Sequence, residues 1–108
     1  METNNKLDKL FSALADSNHR QILNLVSEEA MTIGELASHL NTSLANISKN
    51  VKILEKSALI YKVKKGRSVY CHMNFDTWIE VAKYISMVAQ FWNKRLNELE
   101  KFIVNVED

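Results

Sequence analysis

Residues 43–67 read SLANISKNVKILEKSALIYKVKKGR, and this stretch decides the fold. In its first half, apolar residues recur at helical spacing after Ser43, which is a good N-cap. Its second half changes to partly alternating, β-favouring residues and reaches Gly66, which tolerates the positive φ of a tight turn. The stretch therefore predicts a helix at about residues 44–57 and then a β-hairpin with a basic tip at residues 59–73.

Three more helices are predicted upstream of this stretch. The first covers about residues 4–15, and Asp16-Ser17-Asn18 supplies cap-type residues for the second. Thr32-Ile33-Gly34-Glu35 fits a capping box that opens the third helix, and residues 41–43 form the turn after it. The predicted fold is mainly α, with four helices, two strands and a last helix. A helix-turn-helix occupies residues 33–57, and the hairpin forms its wing.

The start of the fourth helix has the side chains that a DNA-reading helix needs. Small or polar residues there reach base edges in the major groove, while free N–H groups meet phosphate. Basic residues at a hairpin tip suit phosphates or the minor groove. Asparagine is expected to read adenine and lysine guanine, whereas Leu44 and Ala45 offer apolar contact. The residues expected to contact double-stranded DNA are Ser43, Leu44, Ala45, Asn46, Ser48, Lys49, Asn50, Lys52, Lys65 and Arg67.

Charge is unevenly distributed along the chain. The net charge is only +1, yet residues 49–67 hold seven basic side chains and one acidic one, a net charge of +6. Residues 76–108 have a net charge of −2. A basic segment that coincides with the predicted helix and wing supports nucleic-acid binding, although a solvated basic helix without a partner gives the same pattern.

The end of the chain predicts one long helix, for which Asp76 is the expected cap. From Trp78 the apolar residues recur mostly at steps of three and four, and no glycine or proline follows Gly66. A helix of about 25–30 residues is roughly 40 Å long, which is more than the rest of the chain needs as cover. Residues 1–15 and 76–106 are therefore expected to join two copies of the chain. The residues expected at that interface are Leu7, Leu10, Phe11, Leu14, Trp78, Val81, Ile85, Val88, Trp92 and Leu99.

Length and composition narrow the class of protein. A chain of 108 residues with no proline and two glycines favours a single, mostly helical domain over residues 1–108. No apolar run suits a membrane span, no signal-peptide pattern opens the chain, and the single cysteine, Cys71, suits a reducing compartment. A cytoplasmic location is expected. The sequence shows no nucleophile–base set or phosphate-binding loop, so an enzyme is not expected.

Several separate motifs resemble the arsenic-repressor (ArsR/SmtB) family of winged-helix regulators. They are FSALADSNHRQIL at residues 11–23, TIGELA at 32–37, SLANISKNVKIL at 43–54, ALI at 58–60, KGRSVY at 65–70 and FWNKRLNEL at 91–99. The resemblance implies a homodimer that represses transcription and is joined through the first and last helices. Leu44, Asn46 and Asn50 depart from the family's usual residues, so the resemblance does not predict the operator sequence.

Metal sensing is known in that family, in which two kinds of site hold the metal. A thiolate site needs two or more cysteines, and the matching positions hold Thr32 and Gly34. The family's other site lies on the last helix, and no histidine occurs from Asp76 onward. No metal or other cofactor is expected, and Cys71 is expected as a small buried residue. Two alternatives stay open: a module that binds only proteins, or a regulator switched by a small apolar ligand at the dimer interface.

Overall fold

A computed structural model describes the backbone of residues 2–107 and the side chains of residues 5–105. Its elements are α1 Glu2–Leu14, α2 Ser17–Glu28, β1 Met31–Thr32, α3 Ile33–Leu40, α4 Leu44–Lys56, β2 Ile60–Lys65, β3 Ser68–Met73 and α5 Phe75–Glu107. The predicted mainly α fold with a hairpin is confirmed. Residues 1 and 108 of the predicted domain lie outside the described residues.

The helices begin where the sequence places cap residues. Asp16 accepts hydrogen bonds from the backbone N–H groups of Asn18 at 2.8 Å and His19 at 3.4 Å. These N–H groups in the first turn of α2 have no partner within the helix, so Asp16 caps it. Thr32 caps α3 by accepting from the Glu35 N–H at 3.1 Å. The last helix differs from the prediction, because α5 begins at Phe75 and Asp76 lies in its first turn rather than at its cap.

The sheet has three antiparallel strands in the order β1-β3-β2. The hairpin of β2 and β3 turns at Gly66, whose φ of 64° is the left-handed conformation that favours glycine. The two residues of β1 were not predicted as a strand. Met31 pairs with Cys71 and Thr32 with Tyr70, so β1 attaches the wing to the start of α3.

The chain divides into two compact units, one up to Thr77 and one from Trp78 onward. The first unit has a continuous apolar core to which every element from α1 to β3 contributes. Its most deeply buried side chains are Leu10, Ile22, Leu36, Ile47, Val51, Leu54, Leu59, Ile60 and Cys71. The single domain expected over residues 1–108 stays a prediction.

The second unit is the greater part of α5. The whole helix has 33 residues, longer than the 25–30 expected, and its length is about 50 Å at 1.5 Å per residue. Large apolar side chains are exposed along it from Phe75 to Val104. Among residues 2–107, no helix is both long enough and apolar enough to span a membrane.

Candidate nucleic-acid interface

The turn between α3 and α4 brings the start of α4 to the surface. Asn41 ends α3 in the left-handed conformation at φ 51°, and the Thr42 N–H donates to the Ala37 carbonyl at 3.1 Å. Ser43 then caps α4 by accepting from the Asn46 N–H at 3.1 Å. Leu44, the first residue of the helix, is 60% exposed. The helix-turn-helix therefore presents a capped N-terminus with an exposed apolar side chain.

Two opposite faces of α4 carry different side chains. Ile47, Val51 and Leu54 are buried, as their helical spacing predicts. Lys49 and Lys52 are exposed, and Ser48 is half-buried. The basic residues of the helix are thus available to a partner while the apolar stripe anchors the helix in the core.

The two asparagines of α4 are less available than the sequence predicts. Asn50 is 6% exposed, because it lies three residues after Ile47 and four before Leu54 and so shares their buried face. Asn46 is half-buried, and its side-chain amide donates to the Thr42 hydroxyl at 3.0 Å. Asn50 is therefore not placed to read a base, whereas the bond to Thr42 uses only one of the two N–H groups of the Asn46 amide.

The tip of the wing is exposed and basic. Lys65 and Arg67 lie on either side of Gly66, and both are exposed. Lys62 differs from them, since its ammonium group pairs with the Glu55 carboxylate at 3.0 Å. Glu55 is the acidic residue of the basic segment at residues 49–67. The negative charge of Glu55 is therefore paired with Lys62, and the tip of the wing carries only positive charges.

A stacked aromatic pair on the wing was not predicted. The rings of Tyr61 and His72 lie parallel, with centroids 5.2 Å apart, at paired positions of β2 and β3. Alternation along β2 places Tyr61, Val63 and Lys65 on one face of the hairpin. That alternation is visible in the sequence, but the pairing partner depends on the register of the two strands.

The possible sensor groups are clusters of metal-ligating side chains and the single cysteine. In the part of the chain that the structure describes, no group of three or more His, Cys, Asp or Glu side chains could hold a metal ion. Cys71 is fully buried, and burial raises the pKa of its thiol. The thiolate is the reactive form of cysteine, so this environment disfavours reaction.

Residues expected at a dimer interface differ in exposure within one chain. Leu7, Phe11 and Leu14 on α1 are half-buried, as are Trp78 and Val88 on α5. Ile85, Trp92 and Leu99 are 51%, 56% and 53% exposed. Leu10 and Val81 contradict the prediction, because they are 1% and 2% exposed and have almost no surface left for a partner. Both belong to the apolar stripes, and periodicity alone does not separate a helix's inner edge from its outer one.

Known proteins are similar to this chain in both sequence and fold. A family model described as a helix-turn-helix domain matches residues 14–63. The transcriptional repressor SdpR of Bacillus subtilis (strain 168) is 31% identical over 93 residues, which cover 86% of this chain and 100% of that protein. A crystal structure of an ArsR family transcriptional regulator is 28% identical, has a TM-score of 0.74, and matches 83% of this chain and 93% of its own.

A third relative shows the fold at lower identity. It is the homodimeric winged helix-turn-helix DNA-binding domain of Mb0332 from Mycobacterium bovis, 19% identical with a TM-score of 0.70 over 82% of each chain. The helix-turn-helix and the fold shared with these proteins, together with the hairpin wing of this chain, define a winged helix-turn-helix regulator that binds DNA. The chain belongs to the ArsR family of such transcriptional regulators.

Proposed function

We propose that this chain is a homodimeric repressor that binds specific double-stranded DNA through α4 and the tip of its wing. The observation that carries the proposal is the placement of charge. Lys49 and Lys52 on α4 and Lys65 and Arg67 on the wing are all exposed, while the apolar face of α4 is buried. Cations at both a reading helix and a wing suit a duplex.

Each contact follows from the exposed chemistry. Leu44 and Ala45 offer apolar contact to thymine methyl groups, and Lys49 reaches guanine O6 and N7. The hydroxyls of Ser43 and Ser48 and the ammonium of Lys52 serve the backbone on either side of the groove. The wing-tip cations, Lys65 and Arg67, meet phosphates or the adjacent minor groove. Asn46 joins them, because its bond to Thr42 leaves the amide oxygen and one N–H for a base.

The proposal of a homodimer rests on uncovered apolar surface. Trp92, Leu99 and their apolar neighbours on α5 are about half exposed, which is unusual for a protein that acts alone. A twofold dimer would present two reading helices to half-sites about one helical turn apart. The homodimeric state of the Mb0332 domain supports the same assembly here.

The proposal has three further parts, which are repression of transcription, regulation without a metal and a location in the cytoplasm. The SdpR relative is a transcriptional repressor, which supports that direction of control. Thr32 and Gly34 stand where the family's thiolate ligands would be, so regulation without a metal is proposed. The cytoplasm is the compartment in which such a regulator meets its operator.

Selection of bound sequences from random DNA tests the proposal. We expect a palindromic consensus with two half-sites, and an affinity for it that falls steeply with salt as phosphate counterions are released. An enriched site without twofold symmetry contradicts the dimer. If no sequence is enriched and DNA is not retained at low salt, DNA recognition by this chain is refuted and a protein-binding module is favoured.

A further inference from the structure

A cavity in the first unit lies between α1, the start of α2 and the end of α4. Its volume is about 600 Å³, within the range of small-molecule sites. The residues lining it are Asp8, Lys9, Ser12, Ala13, Asp16, His19, Ile53, Lys56 and Ser57. None of them is among the residues assigned above to DNA contact or to the apolar dimer stripes.

His19 is the unusual residue of this cavity. It is 4% exposed, and its Nδ1 lies 2.9 Å from the Ala13 carbonyl oxygen. A carbonyl only accepts, so Nδ1 carries the hydrogen, and in the neutral ring Nε2 is left as an acceptor. Nε2 is buried and has no hydrogen-bond partner among the described residues. A buried polar atom of this kind requires a donor.

Asp16 stands beside that acceptor. Its Oδ2 lies 3.9 Å from His19 Nε2, which is too far for a hydrogen bond between them. One nitrogen donor placed about 2.9 Å from each atom satisfies both. Asp16 Oδ1 is already held by the Asn18 N–H, whose donation keeps the pKa of this carboxyl below its usual value, so the group stays charged. The pair therefore suits an ammonium group.

The cavity also has cationic lining residues. Lys9, Lys56 and Ser57 also line an adjoining groove, whose other described lining residues are Asn5, Lys6 and Ala58. The acidic side chains Asp8 and Asp16 line the cavity and are not among the described residues of that groove. A cavity lined by both signs of charge fits a molecule that carries both, because each charged group of the ligand can then meet its opposite.

We propose that this cavity binds a small zwitterion of the aminocarboxylate class, with its ammonium between Asp16 and His19 and its carboxylate near Lys9 and Lys56. His19 Nε2 is covered, so the surrounding groups must move before the ligand reaches it, whereas the Asp16 side chain is 44% exposed. Leu7, Phe11 and Leu14, the α1 residues still expected to face a second copy, are not among the residues that line the cavity. An effect of the bound ligand on DNA affinity would be transmitted through the last turn of α4. That effect rests on the proposed function.

Calorimetric titration of the full chain without DNA tests the site. The probes are β-alanine, γ-aminobutyrate and ε-aminocaproate, with n-butylamine and butyrate as single-charge comparisons. We expect saturable binding of at least one aminocarboxylate, and binding of each comparison compound weaker by about tenfold or more, since each lacks one charge-assisted contact. No saturation up to about 10 mM, or equal binding of n-butylamine, overturns the proposal.

Two variants distinguish loss of the binding site from loss of the fold. In His19→Asn the amide nitrogen still donates to Ala13 but Nε2 is gone, and Asp16→Asn keeps the cap of α2 but removes the charge. Each is expected to weaken binding about tenfold or more, whereas Glu28→Gln, the same loss of charge elsewhere on α2, leaves it unchanged. Wild-type affinity in both site variants overturns the proposal. If a variant does not fold, amide shifts of Ala13 and Ser57 in the wild-type chain decide, and their absence on titration counts against the site.

Discussion

Ala58 adopts the left-handed conformation at φ 59°, just after α4 ends. The Leu59 N–H donates to the Leu54 carbonyl at 3.0 Å and the Ala58 N–H to the Glu55 carbonyl at 2.9 Å, a helix stop that usually places glycine where Ala58 stands. Ala58→Gly is expected to raise the free energy of unfolding by about 0.5–1 kcal/mol, because relief of the strain exceeds the added chain entropy. Urea unfolding measures the change.

Two further substitutions test the cause of that gain. Gly66→Ala is expected to destabilise the protein, since its φ is +64° while an added Cβ meets nothing within 4 Å. Ala45→Gly, in right-handed helical backbone, is expected to destabilise it as well. A gain from Ala45→Gly similar to that from Ala58→Gly would show that the stabilisation has nothing to do with the left-handed conformation.

Lys49 and Arg67 are the single residues on which DNA affinity is expected to depend most. Lys49→Ala removes a cation from α4, and Arg67→Ala removes one from the wing tip. If the removed cation meets phosphate, binding to all sequences weakens, and the slope of log affinity against log salt falls by about 0.9 for each phosphate no longer neutralised. If it instead meets a base, specificity is relaxed at one position of the DNA site. Binding titrations at several salt concentrations distinguish the two results.

Lys101→Ala is the matched control, because it removes the same charge from the far part of α5 and is expected to leave the salt dependence unchanged. If all three variants bind alike, the placement of α4 and the wing on DNA is wrong. Loss of affinity in Lys101→Ala alone would move the interface to the last helix.

At the scale of elements, the start of α2 depends on an ionised cap. The Asn18 N–H lowers the pKa of Asp16 below 3.8, so the folded state binds a proton less readily than the unfolded chain. The cap therefore stabilises the fold above pH 3.8, and its contribution is lost as pH falls through the lower folded value. Asp16→Asn caps without titrating, so the stability of the wild type relative to this variant is expected to fall below pH 3.8. Urea unfolding on both sides of that pH measures it, and a constant difference contradicts the assignment.

The elements themselves were largely predictable because their signals are local. Ser43 and Thr32 cap the helices that the sequence assigns to them, and Gly66 turns the hairpin. Caps and tight turns depend on a few consecutive residues, so a pattern of side chains is enough to place them.

The features that the sequence did not predict depend on distant contacts. β1 is two residues long and exists only because Met31 meets Cys71, forty positions away. Asn50 was expected on the exposed side of α4, but its position relative to Ile47 and Leu54 turns it inward against the core. A polar residue at the edge of an apolar stripe is ambiguous until the packing of neighbouring helices is known.

At the scale of the whole molecule, basic and apolar surfaces lie on different segments. Positive charge is concentrated between residues 49 and 67, whereas exposed apolar side chains extend along α5 to Val104. DNA recognition needs the first surface, and only assembly with another chain would cover the second. Substitutions in the basic surface are therefore expected to weaken DNA binding without changing the oligomeric state.

Trp92 is where the proposed assembly is best tested. Its side chain is 56% exposed and packs edge-on against Phe91 at 5.6 Å, so an arginine there would place a charge within an apolar face. Trp92→Arg is expected to reduce the mass in sedimentation from that of a dimer to 12.4 kDa. Gln90→Arg adds the same charge on another side of α5 and should stay dimeric.

A monomer that keeps an intact reading helix and wing neutralises half as many phosphates, so its salt slope on operator DNA should fall by about half. If Trp92→Arg sediments as a normal dimer, the interface does not lie on this part of α5.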